Sequence, residues 1–98
     1  MTWDEDRIVA LACDLFGVRP RDLLVPARCR EVSNAKAMIA WWMIANTETS
    51  YRQVACRLGL YDKGHASNTV RRFDAALGRG ERWALVARRA IELAREAA

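Results

Sequence analysis

The sequence predicts an all-α protein, a single-domain bundle of about six helices. Apolar residues recur at helical spacing through most of the 98-residue chain. No segment shows the strict alternation of a half-buried strand or the turn of a β-hairpin. The length suits one hydrophobic core, and hydrophobic residues make up 52% of the chain, which is enough to fill it. We therefore treat residues 1–98 as one domain.

The N-terminal part of the chain predicts two helices. Helix one covers about residues 3–16, with acidic side chains in its first turn and Gly17 as its stop. A short second helix begins at Pro20, a residue that fits the first helical turn, and ends at Pro26. The residues predicted to face the core are Ile8, Leu11, Ala12, Leu15 and Phe16 on helix one, and Leu23 and Leu24 on helix two.

A third helix, about residues 34–46, is apolar nearly all round. A helix of that kind is the centre of a bundle and contacts neighbours on several sides. We expect its paired tryptophans, Trp41 and Trp42, to lie in the core; an exposed platform for stacking bases is the alternative. A basic connection at residues 25–33 precedes this helix. Its arginines are Arg28 and Arg30.

Two further helices follow in tandem. Ser50 is predicted to cap helix four, because Gln53 completes a capping box, and Gly59 is a natural stop. The stretch 60–66 is predicted to be a loop, and Ser67 is predicted to cap helix five. The residues predicted to face inward are Tyr51, Val54, Ala55 and Leu58 on helix four, and Val70, Phe73 and Leu77 on helix five.

Helix six covers about residues 81–97 and follows two glycines that break the chain, Gly78 and Gly80. Its apolar face is predicted to pack on the bundle; pairing with a second copy to form a homodimer is the alternative use of the same helix. The residues predicted to be buried are Trp83, Val86, Ala87, Ala90 and Ile91.

Helices four and five have the order of a helix-turn-helix, in which the first helix braces the second and the second enters the DNA major groove. The N-terminal part of helix 67–77 is predicted to meet base edges, and the start of helix four is predicted to lie on phosphate. The predicted base-reading residues are Ser67, Asn68, Thr69, Arg71 and Arg72. The predicted phosphate contacts are Lys36, Ser50, Tyr51, Arg52, Lys63 and His65. A pair of surface helices in an ordinary bundle is the alternative.

Positive charge is concentrated in two segments of a chain whose net charge is +4. Residues 19–36 and residues 51–75 each contain five basic and two acidic side chains, whereas residues 1–18 contain one basic and four acidic. If the two basic segments share a face after folding, that face suits a polyanion. A set of separate, solvated surface charges is the alternative.

Several motifs, in order, resemble the C-terminal DNA-binding domain of the bacterial chromosomal replication initiator DnaA, a Trp-repressor-like helical domain. Residues 8–24, I-V-A-L-A-C-D-L-F-G-V-R-P-R-D-L-L, look like its first helix and its V-x-x-x-D-L-L turn. Residues 50–59, S-Y-R-Q-V-A-C-R-L-G, are similar to S-x-x-x-I-G-x-x-F-G, and residues 68–70, N-T-V, to the end of D-H-T-T-V. The resemblance spans about residues 5–77, and the basic connection and the apolar helix near Lys36 also fit it.

We expect a stand-alone regulator of transcription or replication, phage-like or accessory, that binds duplex DNA sequence-specifically. In that family a basic residue in the connection before helix three enters the minor groove. Arg30 matches this position best, with Arg28 beside it. The start of the helix-turn-helix contacts phosphate, and the signature residues read the major groove.

The signature departs from the family pattern where base recognition is expected. Ala66 and Ser67 stand where the family has Asp-His, and the loop 60–66 is about four residues longer. His65 is interpreted as a loop residue; a shifted signature histidine is the alternative. We therefore do not expect the initiator's own DNA site to be the target of this chain.

Other functional classes find little support in the sequence. A single histidine, the lack of metal-ligand spacing and the lack of a G-x-x-x-x-G-K-[ST] motif argue against an enzyme, a cofactor and a bound nucleotide. The apolar run 37–45 is too short to span a membrane, and the N-terminus is acidic, so we expect a soluble, cytoplasmic protein. The separated cysteines are interpreted as small apolar residues in a reducing compartment: Cys13, Cys29 and Cys56.

A protein-interaction module is the rival interpretation. It would be an adaptor or an inhibitor that uses the same bundle to bind a protein partner rather than DNA. The acidic first helix, the four tryptophans and the altered signature favour this class.

Overall fold

The computed structural model describes residues 4–97, which form five α-helices and one short 3₁₀-helix. The elements in chain order are α1 (Glu5–Phe16), the 3₁₀-helix (Pro20–Leu24), α2 (Arg30–Asn46), α3 (Tyr51–Arg57), α4 (Lys63–Gly78) and α5 (Arg82–Ala97). No strand occurs within residues 4–97, so the predicted all-α bundle is confirmed. The same part of the chain contains no helix that is both long and apolar enough to cross a membrane.

The central helix of the bundle is α2, and the 3₁₀-helix and all four other α-helices pack on it. Ala37, Met38, Ile39 and Ala40 are completely buried, although successive residues of a helix point in different directions around its axis. Only a helix that has neighbours on several sides can bury four successive residues. The predicted central helix is therefore confirmed.

An aromatic cluster joins α1, α2, α4 and α5. The ring of Phe73 lies 4.8 Å from Trp41 and 5.5 Å from Trp83 between centroids, and Phe16 lies 6.5 Å from Trp83. The Phe73–Trp83 and Phe16–Trp83 pairs are edge-to-face, an arrangement that aromatic quadrupoles favour. Trp42 is 2% exposed. The paired tryptophans of α2 therefore serve packing, as predicted.

α2 begins four residues earlier than the sequence predicts. Cys29, in extended conformation with φ −142°, precedes Arg30 as the N-cap of α2. The basic connection is therefore residues 25–29 rather than 25–33, and Arg30 is the first helical residue. Residue 3, where helix one is predicted to begin, lies outside the described residues.

Three apolar residues predicted to face the core are exposed: Leu24 by 64%, Val86 by 44% and Tyr51 by 38%. Leu24 follows the buried Leu23 in a 3₁₀-helix, where one residue advances a third of a turn and only one of two neighbours faces inward. Val86 lies beside the stripe with which α5 packs, and Tyr51 is the first residue of α3. The buried stripe of α5 consists of Ala84, Ala87 and Ile91.

Candidate nucleic-acid interface

α3 and α4 are joined by a short connection, residues 58–62, and pack against each other. The Ser50 hydroxyl accepts a hydrogen bond from the Gln53 N–H at 3.1 Å, and Gln53 Oε1 accepts one from the Ser50 N–H at 2.9 Å. The predicted capping box is therefore confirmed. The Ser50 N–H is used within this box and is not available to a phosphate. In the first turn of α3, the exposed cation that could contact a partner is Arg52. Val54 anchors the opposite side of this short helix in the core.

α4 begins at Lys63 because Asp62 caps it. The Asp62 carboxylate accepts the His65 N–H at 2.8 Å, and His65 Nδ1 accepts the Tyr61 N–H at 3.1 Å. The predicted loop, which extends to residue 66, is therefore wrong, and so is the interpretation of His65 as a loop residue. Asp is among the best N-cap residues, so Asp62 was the signal in the sequence that identifies the earlier start.

Because α4 begins at residue 63 rather than 67, the residues exposed on its first turns differ from the predicted ones. Ser67, predicted to be the cap, is a half-buried residue inside the helix. Asn68 and Arg71 are exposed as predicted, and Lys63 and Gly64 are exposed one turn earlier. Residues three and four positions apart lie on one helix face. We call this set the α4 face: Lys63, Gly64, Ser67, Asn68 and Arg71.

Two residues predicted to read bases face inward. Thr69 is 7% exposed, and its hydroxyl donates to the His65 carbonyl oxygen at 2.8 Å. Arg72 donates to Asn34 Oδ1 at 3.1 Å, to the Ser33 carbonyl oxygen at 2.8 Å and to the Ser33 hydroxyl at 3.0 Å. Arg72 joins α4 to α2, whereas the Thr69 hydroxyl bonds within α4 itself. The predicted outward placement of Thr69 and Arg72 is therefore wrong.

Two close contacts fix the connection, residues 25–29, against the helices. Lys36 is 2% exposed and donates from Nζ to the Val25 carbonyl oxygen, and burial lowers the pKa of this ammonium group. Gly59 has φ +60°, and a Cβ on it would lie 2.6 Å from the carbonyl carbon and oxygen of Leu24, so only glycine allows this approach. Because Lys36 is buried, its predicted contact with phosphate is wrong.

The connection lies beside the start of α4. A cleft at the start of α2 contains Arg28 and Arg30. A second cleft shares Ala27 and Ser33 with the first and is lined on its other side by His65. The two clefts therefore adjoin. Arg28 and Arg30 share their own cleft with Arg72 of α4, and the cleft next to it reaches the first turn of α4.

A third cleft extends the same surface to α3. It shares Leu60 and Tyr61 with the second cleft and contains Arg52 and Lys63. The two basic segments of the sequence therefore share one surface after folding. We call its exposed cations the basic surface: Arg28, Arg30, Arg52, Lys63 and Arg71.

The cations of the basic surface form no ion pairs with acids of the described residues. Within residues 4–97, none of its five cations has a carboxylate oxygen within 4.0 Å of its charged nitrogens. Asp62 is the acid next to Lys63 in the chain, and its carboxylate is used to cap α4. The surface therefore presents five cations without ion pairs in the described part of the chain, an arrangement that favours polyanions.

Comparison of the chain with known protein families, with curated proteins and with solved structures finds no significant match. The resemblance to the initiator domain is therefore a prediction that rests on the motifs quoted above.

Proposed function

We propose that this protein binds duplex DNA by placing the start of α4 in the major groove. The observation that carries the proposal is the basic surface: five cations with no carboxylate partner within residues 4–97 lie on the exposed face of α4 or in the adjoining clefts beside it. α3 braces that helix from the side, as the first helix of a helix-turn-helix does. The resemblance to the initiator domain supports the same function independently of this geometry.

The α4 face provides the chemistry for reading bases. Asn68 can pair with adenine through its amide, and Arg71 can pair with guanine through two guanidinium N–H groups. Lys63 is placed at the rim of this face, where a phosphate contact is expected. Relative to the sequence prediction, the reading helix is α4 from residue 63 onward rather than 67–77, and Thr69 and Arg72 are removed from it.

The rest of the basic surface extends the contact along the duplex. Arg52 on α3 shares a cleft with Lys63 and is placed to contact phosphate beside the reading helix. Arg28 and Arg30 lie beyond the α4 start and would meet the neighbouring part of the duplex. A protein with this function would act in the cytoplasm, at the nucleoid.

A selected duplex tests the proposal. A binding site is first isolated from randomised duplexes, and the affinities of the Asn68→Ala and Arg71→Ala variants are then measured by fluorescence anisotropy. We expect losses of about 5- to 150-fold on the selected site, the equivalent of about 1–3 kcal/mol, and smaller losses on random duplex. Arg88→Ala, on α5, is the matched control and should leave both affinities nearly unchanged. Equal losses on both duplexes for Asn68→Ala and Arg71→Ala would reject base reading by α4.

A protein-interaction module is the second candidate, and one feature favours it. An apolar groove of about 570 Å³ lies between α1, the 3₁₀-helix, α2 and α3. Leu24 lines it and is 64% exposed. Its charged residues balance, Glu5 and Asp6 against Arg21 and Arg57, and Glu5 pairs with Arg57. Failure to shift random duplex at low salt and at tens of micromolar protein would favour this function over DNA binding, because non-specific affinity is typically about 1–100 μM. Pairing of two copies through α5 remains a prediction.

A further inference from the structure

The cleft at the start of α2 has an unusual set of charges. It has a volume of about 540 Å³ and lies between the connection, α2, α4 and the residues that lead into α5. Its lining includes three arginines but only one carboxylate. The charged residues are Arg28, Arg30, Arg72 and Glu81. This composition indicates a site for an anion.

Arg72 is a half-buried cation held by neutral groups. Its guanidinium donates to the amide of Asn34 and to two oxygen atoms of Ser33, and its central carbon lies 5.3 Å from the centre of the Trp83 ring. Within residues 4–97 no carboxylate oxygen lies within 4.0 Å of it. Burial lowers the pKa of Arg72, and the negative charge of Glu81 opposes that effect. A charge that is partly removed from water is stabilised by an ionic partner.

The one carboxylate of the cleft is already engaged. Glu81 Oε2 accepts from Arg79 Nε at 2.7 Å, and Glu81 Oε1 accepts from the indole Nε1 of Trp83 at 3.1 Å. These hydrogen bonds, that from Arg79 first, lower the pKa of Glu81. Arg28 and Arg30 line the same cleft and are exposed. The cleft therefore retains an excess of positive charge after its internal contacts are made.

We propose that this cleft binds a phosphate group. A guanidinium fork matches two oxygens of a phosphate, and several arginines around one cleft are typical of phosphate sites. The phosphate can belong to the DNA backbone or to a free phosphate compound. The first case rests on the proposed function, and the second is independent of it. In either case Arg28 and Arg30 bind phosphate, whereas the resemblance to the initiator domain assigns them to base edges in the minor groove.

The indole N–H of Trp83 reports directly on the cleft, because it is hydrogen-bonded to Glu81. Its NMR signal is identified by its absence in Trp83→Phe. The signal is followed while sodium pyrophosphate, or a random duplex in a separate sample, is added, with sodium chloride of equal ionic strength as the control. Each titration is repeated with Arg28→Gln/Arg30→Gln, a variant that changes two exposed side chains. Arg88→Gln/Arg89→Gln on α5 is the matched double variant outside the cleft.

We expect a saturable shift of the Trp83 signal. The affinity should fall about 10-fold or more in Arg28→Gln/Arg30→Gln, as expected for the loss of a charge-assisted hydrogen bond. The affinity of the α5 variant should be unchanged. A response to pyrophosphate supports a free phosphate compound, and a response to duplex alone supports the DNA backbone. The proposal is overturned if neither addition exceeds the chloride control, or if the response is undiminished in Arg28→Gln/Arg30→Gln.

Two further results separate this proposal from others. If Arg28→Gln/Arg30→Gln lost affinity only for duplexes rich in A·T pairs, a minor-groove base contact would replace the phosphate site, because phosphate contacts are blind to sequence. The base-reading role of α4 is tested separately by Asn68→Ala and Arg71→Ala. Its failure would leave the pyrophosphate titration unaffected.

Discussion

Two groups of arginines on this protein differ in what faces them. Near α5, Arg79 pairs with Glu81 at 2.7 Å, and Arg88 and Arg89 both reach Glu92, at 3.9 and 3.1 Å. On the basic surface around the start of α4, no cation has such a partner within residues 4–97. The protein pairs these three arginines near α5 with carboxylates and leaves the cations of the basic surface without such partners in the described residues.

For the binding of a polyanion, this difference in ion pairing matters more than the number of basic residues. An exposed ion pair adds little to stability, about 0–1 kcal/mol, but it cancels much of the field that its cation would project. Arg82 and Arg95 on α5 are also without ion pairs in the described part of the chain, but they are thirteen residues apart, about 20 Å along the helix. A pI of 9.4 does not distinguish these situations, whereas the partners of each cation do.

The largest effect is expected where the segment between α3 and α4 meets the connection. Gly59→Ala should lower the free energy of unfolding by about 3 kcal/mol, because a left-handed residue with a Cβ costs about 1–2 kcal/mol and the contact with the Leu24 backbone adds overpacking. Gly80→Ala, before α5, has the same φ sign (+70°) but no atom within 4 Å of the new Cβ, and should cost about 1–2 kcal/mol. Urea unfolding followed by circular dichroism measures both, and equal losses would contradict the close approach.

The next effect separates two adjacent arginines of α4. Arg72→Ala should lower the free energy of unfolding by about 2 kcal/mol, since it removes hydrogen bonds from a cation to Asn34 and Ser33 and the contact with Trp83. Arg71→Ala removes an exposed side chain and should change the stability by less than about 0.5 kcal/mol. The same unfolding assay applies. If Arg71→Ala were as destabilising as Arg72→Ala, the α4 face would be a packing surface rather than a free one.

The sequence was sufficient for the parts of the fold that depend on local pattern. Helical spacing identified every helix, the all-round apolar character of α2 predicted its central place, and Ser50 with Gln53 predicted the cap of α3. These features follow from residues that are neighbours in the chain. They need no knowledge of what packs against them.

The candidate site was harder to predict because it depends on tertiary contacts. Glycine is a poor helix former, yet Gly64 lies in the first turn of α4, which the hydrogen bonds of Asp62 and His65 begin. Arg72 looks like a surface cation until Ser33, thirty-nine residues earlier, is placed beside it. Lys36 likewise finds its acceptor, Val25, in the connection. A charged side chain in a helical pattern does not reveal from sequence whether it faces water or a distant acceptor.

A smaller effect tests whether unpaired charge, rather than total charge, attracts DNA. Arg52→Ala/Lys63→Ala should weaken binding to random duplex by about 1 kcal/mol and reduce the slope of log K against log salt by about 2, because each lost phosphate contact removes about 0.9. Arg88→Ala/Arg89→Ala removes the same formal charge from the paired side and should leave the slope nearly unchanged. Anisotropy titrations over a range of salt concentrations give both values. Equal reductions would show that only net charge matters.

The smallest effect concerns Lys36, the cation that the fold buries rather than presents. Burial lowers its pKa, so near its ordinary pKa the unfolded chain binds more protons at this site than the folded chain. Its contribution to stability is therefore lowest below the folded pKa and rises with pH until the ordinary value of about 10.4 is passed. The variant Lys36→Met lacks this ammonium group but keeps all other titratable groups, so it serves as the reference. The unfolding free energy of the natural chain, relative to that of Lys36→Met, should rise as the pH increases towards the ordinary pKa of lysine. Parallel curves through this range would show that Lys36 is solvated, and that the connection is free of the contact that fixes it against α2.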